Sequence, residues 1–221
     1  MAVARWNRLC ALGVGFSLGC GGDGGGGTGP CTPGPATQIV KSSGDGQSWY
    51  VNNPLPVPLG VTARDANACP VPGVLVDWTI QTGGGGLSVA QSTTNSSGVA
   101  STVDSVGSAS SQMVRATAAG LPTQEFTATA GAPPTSAAVT VSNNSFSPNA
   151  VAMQTGSTVT WTWNSGGVTH DVAYDSGPTP LPASSAPQGS GTHSNTITTV
   201  GRYTYHCNFH GGMTGSVTVV H

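Results

Sequence analysis

The chain has 221 residues, enough for two small domains or for one domain of moderate size. Only 6% of the residues are charged, and 33 glycines and 16 prolines give a mixture that suits short strands and turns better than helices. The formal net charge is −2 and no run of Lys or Arg occurs, so nucleic-acid binding and docking on a membrane through a basic patch get no support.

The first residues are typical of an export signal. Arg5 and Arg8 give a basic start, Leu9 to Leu18 form a short apolar run, and Gly19 is a small residue suited to cleavage. The apolar run is too short to span a bilayer comfortably. We therefore predict a signal peptide at residues 1–19 and an exported protein, periplasmic or at the cell surface.

Cys20 follows directly and precedes the tract GGDGGGGTGP, which by composition is a flexible tether at residues 20–35. A small residue, a cysteine and a Gly-rich tract resemble a bacterial lipoprotein signal, which implies a lipid on Cys20 and a membrane anchor there only. Ser17 stands where that motif usually has Leu, and Leu18 where it usually has a small residue. A plain secretory signal that is cut nearby therefore stays the alternative.

The other cysteines need separate explanations. Cys10 lies inside the predicted signal, and Cys31 and Cys69 remain as a candidate disulfide pair in an oxidising compartment. Sequence does not supply the geometry of such a bridge, so this pairing stays open. Cys207 is left over, and a bound metal is one explanation for an unpaired thiol in an exported protein.

Residues 36–131 show short β-type runs that are separated by turns. The clearest are VPLGVTARD, GVLVDWTI and VASTV, while GGGG and SSG mark turns. In VLVDWTI the larger apolar side chains alternate with the others, which places them on one face of a half-buried strand: Val74, Val76, Trp78 and Ile80. The pattern predicts an all-β sandwich.

The stretch PLPVPLGVTARDANACPVPGVLVDWTI, followed by GGGGLS and TTNSSGVAST, resembles the bacterial immunoglobulin-like domains of invasin and intimin type. The resemblance implies an immunoglobulin-like sandwich that acts as a spacer or presentation module. Cys69 interrupts the resembling stretch, in keeping with an additional disulfide. Adhesion to a partner is the alternative, although nothing in the stretch specifies a ligand.

The segment GAPPTSAA connects this region to a second β pattern at residues 132–221. The predicted strands are AAVTV, STVTWTW, SNTITTV, RYTYHC and GSVTVV, and VTHDVAY is predicted as a strand or a strand end. A long Gly/Pro/Ser loop is predicted from Asp175 to Thr192. In STVTWTW, Val159, Trp161 and Trp163 share one face. In RYTYHC, Tyr203, Tyr205 and Cys207 point inward and His206 points outward.

Soft metal-binding side chains begin at the last residue of RYTYHC and continue into the turn before GSVTVV. Cys207, His210 and Met213 have the spacing C-x-x-H-x-x-M, so one short loop can present all three to an ion. His170, flanked by Val168 and Val172 that are expected to pack beside it, is the best candidate for a fourth ligand. Zinc sites rarely use Met. Two imidazoles and a thiolate with a weak axial thioether are the signature of a blue-copper electron-transfer site.

The stretches TVTWTW, THDV around His170, and YTYHCNFHGGMTGSVTV resemble the cupredoxins of plastocyanin and amicyanin type, over nearly all of residues 137–220. The resemblance implies a Greek-key sandwich with one type 1 copper ion, ligated by His170, Cys207, His210 and Met213. The short spacing from Cys to Met is more like amicyanin than plastocyanin. Asp171 is a departure, because many relatives have Asn or Thr after the first His.

Four protein ligands leave no open position for a substrate, whereas catalytic metal sites keep one. The sequence also lacks the His-x-His pairs of multicopper oxidases. We therefore expect an electron carrier and not an enzyme, monomeric, with a redox protein as donor and another as acceptor. The resemblance further implies an apolar docking patch of Phe209, Gly211, Gly212 and Pro148 around His210. A copper-delivery protein and a surface adhesin with a structural copper domain are the alternatives.

Overall fold

The computed structural model describes residues 31–142 and 144–221. All regular secondary structure in these ranges is β-strand, as predicted, and the ranges hold no helix long and apolar enough to cross a membrane. The predicted signal peptide and the predicted lipidation of Cys20 lie outside the described residues. Both stay predictions.

The first group of strands builds two facing sheets. One has the order β1-β3-β7 and the other the order β2-β10-β9-β4-β6, while β5 pairs with β8. The bounds are β1 Gln38–Ser43, β2 Gln47–Tyr50, β3 Leu59–Arg64, β4 Leu75–Thr82, β5 Gly85–Leu87, β6 Gln91–Thr93, β7 Val99–Thr102, β8 Asp104–Val106, β9 Ser111–Thr117 and β10 Gln124–Gly131.

The core of this first sandwich forms from alternate residues of both sheets. One buried cluster contains Val61 of β3, Val76 and Trp78 of β4, and Phe126 of β10. The ring centroids of Trp78 and Phe126 lie 5.8 Å apart. In β4 the neighbouring Leu75 is 50% exposed, so the predicted alternation is confirmed. The likeness to invasin and intimin domains stays a prediction.

Asp104 is an exception in this core. Its side chain is 2% exposed and its Oδ1 has no hydrogen-bond partner among the described residues. The small cavity that it lines is otherwise bounded by uncharged residues, among them Leu55, Gln112 and Phe126. Burial raises the pKa of Asp104, because the charged form loses its hydration and gains no partner.

We expect Asp104→Asn to stabilise the protein by about 1–2 kcal/mol at pH 7, because an unpaired buried charge is removed. A raised folded-state pKa means that stability is greatest below the unfolded pKa of Asp and falls as the pH rises through the folded pKa. The gain in unfolding free energy of Asp104→Asn over the unchanged protein should therefore be small near pH 4 and larger at pH 8. Chemical denaturation followed by fluorescence measures it at both pH values. Asp77→Asn, at a carboxylate that accepts a hydrogen bond from Gln91, is the control. An equal advantage at both pH values would contradict this account.

The second group of strands also builds two facing sheets, in the orders β12-β11-β14-β16 and β13-β18-β17-β15. The bounds are β11 Ser136–Ser142, β12 Ser145–Ser147, β13 Ala150–Gln154, β14 Ser157–Asn164, β15 Ala173–Ser176, β16 Ser190–Ile197, β17 Gly201–His206 and β18 Thr214–Val220. Only residues 132–135 lie between β10 and β11, fewer than the predicted linker. The predicted boundaries of the two domains stay predictions.

The inward faces of the second sandwich agree with the predicted alternation. Val159, Trp161 and Trp163 of β14 are buried, as are Tyr203 and Tyr205 of β17, and all five belong to one hydrophobic core. Cys207, the first residue after β17, continues the inward face and is 3% exposed. The Cys207 thiol therefore lies in the interior, as the alternation along the strand predicts.

The end of β18 is bound to the first sandwich. The backbone N–H of His221 donates to Oδ1 of Asn53 at 3.0 Å, and Nδ2 of Asn53 donates to the His221 carbonyl at 3.4 Å. Asn53 is 2% exposed, and residues 32–221 form one compact unit. Since β18 starts at Thr214, this junction and the loop with Cys207 lie at opposite ends of the strand, about 20 Å apart at 3.3 Å per residue.

Cys31 and Cys69 are both disulfide-bonded. Cys69 is buried, and its backbone N–H donates to Oδ1 of Asp65 at 2.9 Å, while Oδ2 of the same carboxylate accepts from the N–H of Gly34. Asp65 thus holds the start of the described chain close to Cys69. The pairing of Cys31 with Cys69 stays a prediction.

Candidate metal centre

The loop of residues 207–213 joins β17 to β18 and closes on itself through its backbone. The N–H of Cys207 donates to the carbonyl of Met213 at 3.0 Å, and the N–H of Met213 donates to the carbonyl of His210 at 3.2 Å. The N–H of His210 in turn donates to the carbonyl of Cys207 at 3.4 Å. The three candidate ligands of this loop are therefore held together by their own main chain.

His170 reaches the loop from the segment between β14 and β15. This segment was predicted as a strand or a strand end, but β15 begins only at Ala173. His170 instead forms an isolated β-bridge with Gln188, and Nε1 of Trp163 donates to its carbonyl at 3.2 Å. The main chain of His170 is fixed by these contacts, and its side chain is completely buried.

The structure brings the predicted ligands together. Sγ of Cys207 lies 3.8 Å from Nδ1 of His170 and 3.5 Å from Nδ1 of His210, and the three candidate ligand atoms all lie within 4.8 Å of one another. His210 is the partly exposed member of the set. Met213 is nearby and buried in the same core as Cys207. No other group of this kind occurs in residues 31–142 and 144–221.

The arrangement fits one copper ion. Metal bonds of about 2.0–2.3 Å to nitrogen and sulfur put two such ligand atoms roughly 3.3–3.8 Å apart when they share an ion. The separations of 3.8 Å and 3.5 Å between Sγ of Cys207 and the two imidazole nitrogens agree with this expectation. Imidazoles suit Cu(II) while thiolate and thioether suit Cu(I), so the mixed set accommodates both oxidation states.

Comparison with known proteins agrees with the site. Residues 135–220 match the family described as "Copper binding proteins, plastocyanin/azurin family". This part of the chain is a cupredoxin domain. Together with the His170, Cys207 and His210 site, and with Met213 nearby, the match is consistent with one type 1 copper ion.

Several solved structures are similar to this chain, each over 38% of its length. A purple cupredoxin from Nitrosopumilus maritimus is 26% identical over 99% of its own chain, with a TM-score of 0.34. A reduced amicyanin mutant is 27% identical over 82% of its chain, and a fern plastocyanin mutant is 26% identical over all of its chain, each with a TM-score of 0.34. No curated protein matches the chain.

Two ligands of the cupredoxin domain are connected through Asp171 and Asn208. The N–H of Asn208 donates to Oδ1 of Asp171 at 2.8 Å, and Nδ2 of Asn208 donates to Oδ2 at 2.7 Å. Asp171 follows His170 and Asn208 follows Cys207, so the carboxylate links the two ligand-bearing segments. Asp171, which departs from the family pattern, therefore has Asn208 as a hydrogen-bond partner. The sequence alone did not predict this pair.

The surroundings keep His170 in the form that a metal needs. Burial and, secondarily, the charge of His210 lower the pKa of His170, while Asp171 partly opposes this effect. A neutral imidazole has a free lone pair on one ring nitrogen. The site therefore favours a His170 that is ready to bind a cation.

Aromatic rings pack behind the thiol. Trp161 contacts Tyr205 edge to face, with ring centroids 5.3 Å apart, and burial raises the pKa of Tyr205 to about 12. Gly215 on β18 makes room for this ring, since a Cβ atom at Gly215 would lie 2.5 Å from it. These rings and Cys207 belong to one buried hydrophobic core, so the inner side of the site is apolar.

The other histidines of the cupredoxin domain lie outside the ligand set. The side chain of His206 points outward as predicted, and its ring contacts Oδ1 of Asp175 at 2.5 Å and Oδ1 of Asn208 at 3.1 Å. The ring of His193 packs against Trp161, with centroids 5.8 Å apart and the two planes inclined at 34°. Neither ring takes part in the metal-ligand group.

Three residues of the predicted docking patch are exposed and are neighbours of His210 in the chain, while docking itself stays a prediction. Phe209 is 51% exposed, and Gly211 and Gly212 are exposed as well. Val168, which was expected to pack beside His170, is instead 51% exposed. That expectation was wrong because the chain turns at residues 165–167, before His170 forms its bridge.

Proposed function

We propose that this protein is an exported blue copper protein that carries single electrons between redox proteins and is not an enzyme. The observation that carries the proposal is the convergence of Nδ1 of His170, Sγ of Cys207 and Nδ1 of His210 in a largely buried site beside Met213. Proteins of the cupredoxin family are mostly electron carriers. Bound copper would supply a couple between Cu(II) and Cu(I).

The protein fixes the positions of its copper-binding side chains. The loop of residues 207–213 is closed by three backbone hydrogen bonds, and Asp171 ties it to the segment with His170. Because the ligand set suits both oxidation states, little rearrangement is needed when one electron is gained or lost. The buried thiol of Cys207 also favours retention of the metal over its release to another protein.

His210 is the proposed electron port. It is the ligand with access to the surface, and Phe209 beside it is half exposed. The only Lys or Arg in residues 132–221 is Arg202, so a partner would be guided by apolar contact more than by charge. Redox encounters of this kind are small and weak.

The proposed port at His210 can be tested before a redox partner is identified, by measuring electron self-exchange between two copies of the protein. We expect Phe209→Glu to lower the self-exchange rate about tenfold or more, because two like charges would then face each other at the contact. The rate of the unchanged protein should depend only weakly on salt. The measurement is NMR line broadening in mixtures of the oxidised and reduced forms.

Val89→Glu is the matched control, since Val89 is 44% exposed but belongs to the first sandwich. It should leave the self-exchange rate unchanged. Equal rates for Phe209→Glu and the unchanged protein, or a steep fall of the unchanged protein's rate with salt, would argue against an apolar port at Phe209.

The first sandwich fits the role of a rigid stalk in this proposal. It is bound to the end of β18 that lies opposite the loop of residues 207–213, so the port points away from it. With an anchor on Cys20, the port would face away from the membrane, and the protein would be a monomeric lipoprotein of the periplasm or cell surface. Deleting residues 36–131 should then reduce electron delivery in cells.

Voltammetry of the copper-loaded protein tests the proposed function. We expect one reversible one-electron wave that persists in the presence of a copper chelator. An irreversible wave together with fast loss of copper to the chelator would favour copper delivery instead. Stable copper with no redox response would favour an adhesin whose copper domain is structural.

A further inference from the structure

We propose that Gln188 is a positioning residue of the copper site, whose side-chain carbonyl accepts a hydrogen bond from the Nε2–H of His170. The proposal rests on the copper site but not on electron transfer. It concerns the ring nitrogen of His170 that faces away from the metal ligands.

The two ring nitrogens of His170 have different surroundings. Nδ1 lies 3.8 Å from Sγ of Cys207, so Nδ1 is the nitrogen that faces the ligand set. Nε2 is buried and has no hydrogen-bond partner among the described residues. A histidine that binds a metal through one nitrogen almost always donates a hydrogen bond from the other, because that bond fixes the tautomer and the ring orientation.

Gln188 is the residue directly opposite His170. The N–H of His170 donates to the carbonyl of Gln188 at 3.0 Å, and the N–H of Gln188 donates back to the carbonyl of His170 at 2.9 Å. Residues paired in this antiparallel way project their side chains to the same face, with Cβ atoms about 5 Å apart. The side chain of Gln188 is therefore within reach of the imidazole.

The amide of Gln188 holds a second buried atom without a partner. In residues 31–142 and 144–221, Nε2 of Gln188 is buried and makes no hydrogen bond, whereas its Oε1 is not among the buried unpartnered atoms. The nitrogen and oxygen of a glutamine amide have nearly the same shape, and their assignment follows from the hydrogen bonds that they make. Exchanging them turns the oxygen inward as an acceptor for His170 and the nitrogen outward to water, so both unpartnered groups are satisfied.

The backbone around Gln188 is held firmly against the segment with His170. The next residue, Gly189, accepts a hydrogen bond from Oγ of Ser165 at 3.1 Å, and a Cβ atom at Gly189 would lie 2.5 Å from the carbonyl oxygen of Gly167. This close approach leaves Gln188 little freedom to move away. A partner at this position can therefore fix the angle at which His170 presents Nδ1.

The test is NMR of the ¹⁵N-labelled, Cu(I)-loaded protein, together with competition for Cu(I) by a chelator. In the unchanged protein we expect a single His170 Nε2–H signal that exchanges slowly with water. Gln188→Leu keeps the backbone bridge but has no acceptor, so it should speed up this exchange and weaken Cu(I) binding about tenfold. Gln188→Glu keeps an oxygen acceptor and should restore slow exchange.

Gln154→Leu is the matched control, because Gln154 is exposed at the end of β13 and its side chain makes no hydrogen bond among the described residues. It should change neither readout. The proposal is overturned if Gln188→Leu matches Gln154→Leu in both exchange and affinity, or if the His170 Nε2–H of the unchanged protein exchanges as fast as in Gln188→Leu. Neither readout uses electron transfer, so a protein that only stores copper would give the same result.

Discussion

Replacing Cys207 with Ser should weaken Cu(I) binding by more than about 100-fold, a larger loss than changes next to a ligand cause. Thiolate is the ligand in this set that copper binds most strongly in its reduced form, and a serine hydroxyl stays protonated and binds Cu(I) poorly. The substitution is nearly isosteric at a site that is 3% exposed, so the fold should survive. Chelator competition measures the affinity, and the unfolding midpoint of the metal-free protein checks the fold.

His206→Gln is the control for this experiment, since His206 precedes Cys207 but points to the opposite side of β17. It removes an imidazole within one residue of the site and should leave Cu(I) affinity almost unchanged. If Cys207→Ser bound Cu(I) as tightly as the unchanged protein, the three convergent side chains would not be the copper site.

The second large effect is expected at Trp161. Its side chain is completely buried and packs against three other rings. Its ring centroid lies 5.3 Å from that of Tyr205, 6.2 Å from that of Tyr174 and 5.8 Å from that of His193. Trp161→Ala removes the centre of this cluster, and such a cavity costs about 3–5 kcal/mol. Copper affinity should fall as well, because Tyr205 and Cys207 lie on the same inward face.

Chemical denaturation of the copper-free protein measures the loss at Trp161. Trp49→Ala is the matched control, because Trp49 is only half-buried in the first sandwich and its truncation should cost clearly less. Trp161→Phe should recover much of the stability by refilling part of the cavity. A loss of less than about 1 kcal/mol for Trp161→Ala would show that Trp161 is not the centre of a stabilising aromatic cluster.

Those parts of the structure that depend on local spacing could be predicted from the sequence. Alternation with a period of two placed Trp161 and Tyr205 inward, and it placed Cys207 beside them. The spacing from Cys207 to His210 and Met213 fitted one short loop. His170 was proposed from its residue type and its position near a β run, and the structure brings it to Cys207.

Contacts that join distant segments could not be predicted in this way. Gln188 opposes His170 only because of the register between the segment 165–172 and the long loop before β16. In the same way, the contact of Asn53 with His221 joins residues that are far apart in the chain. Val168 was misplaced because a turn, rather than a continued strand, precedes His170. Neither composition nor periodicity carries such information, since pairing register depends on the whole sheet.

The structure shows how the first sandwich is built, but it identifies no ligand for it among the described residues. Its core is closed by residues such as Trp78 and Phe126, and its outward residues provide no metal-ligand group among those the structure describes. Its contact with the end of β18 is the feature that connects it to the copper site. The role that we propose for it is therefore a stalk that presents the loop of residues 207–213.

The most direct test of the central claim is the visible absorption spectrum of the purified protein after addition of Cu(II), beside Cys207→Ala. The account predicts an intense thiolate-to-copper band that a reductant bleaches, that an oxidant restores, and that Cys207→Ala lacks. A colourless protein that binds Cu(II) no better than Cys207→Ala would contradict the account, and the convergence of His170, Cys207 and His210 would then need another explanation.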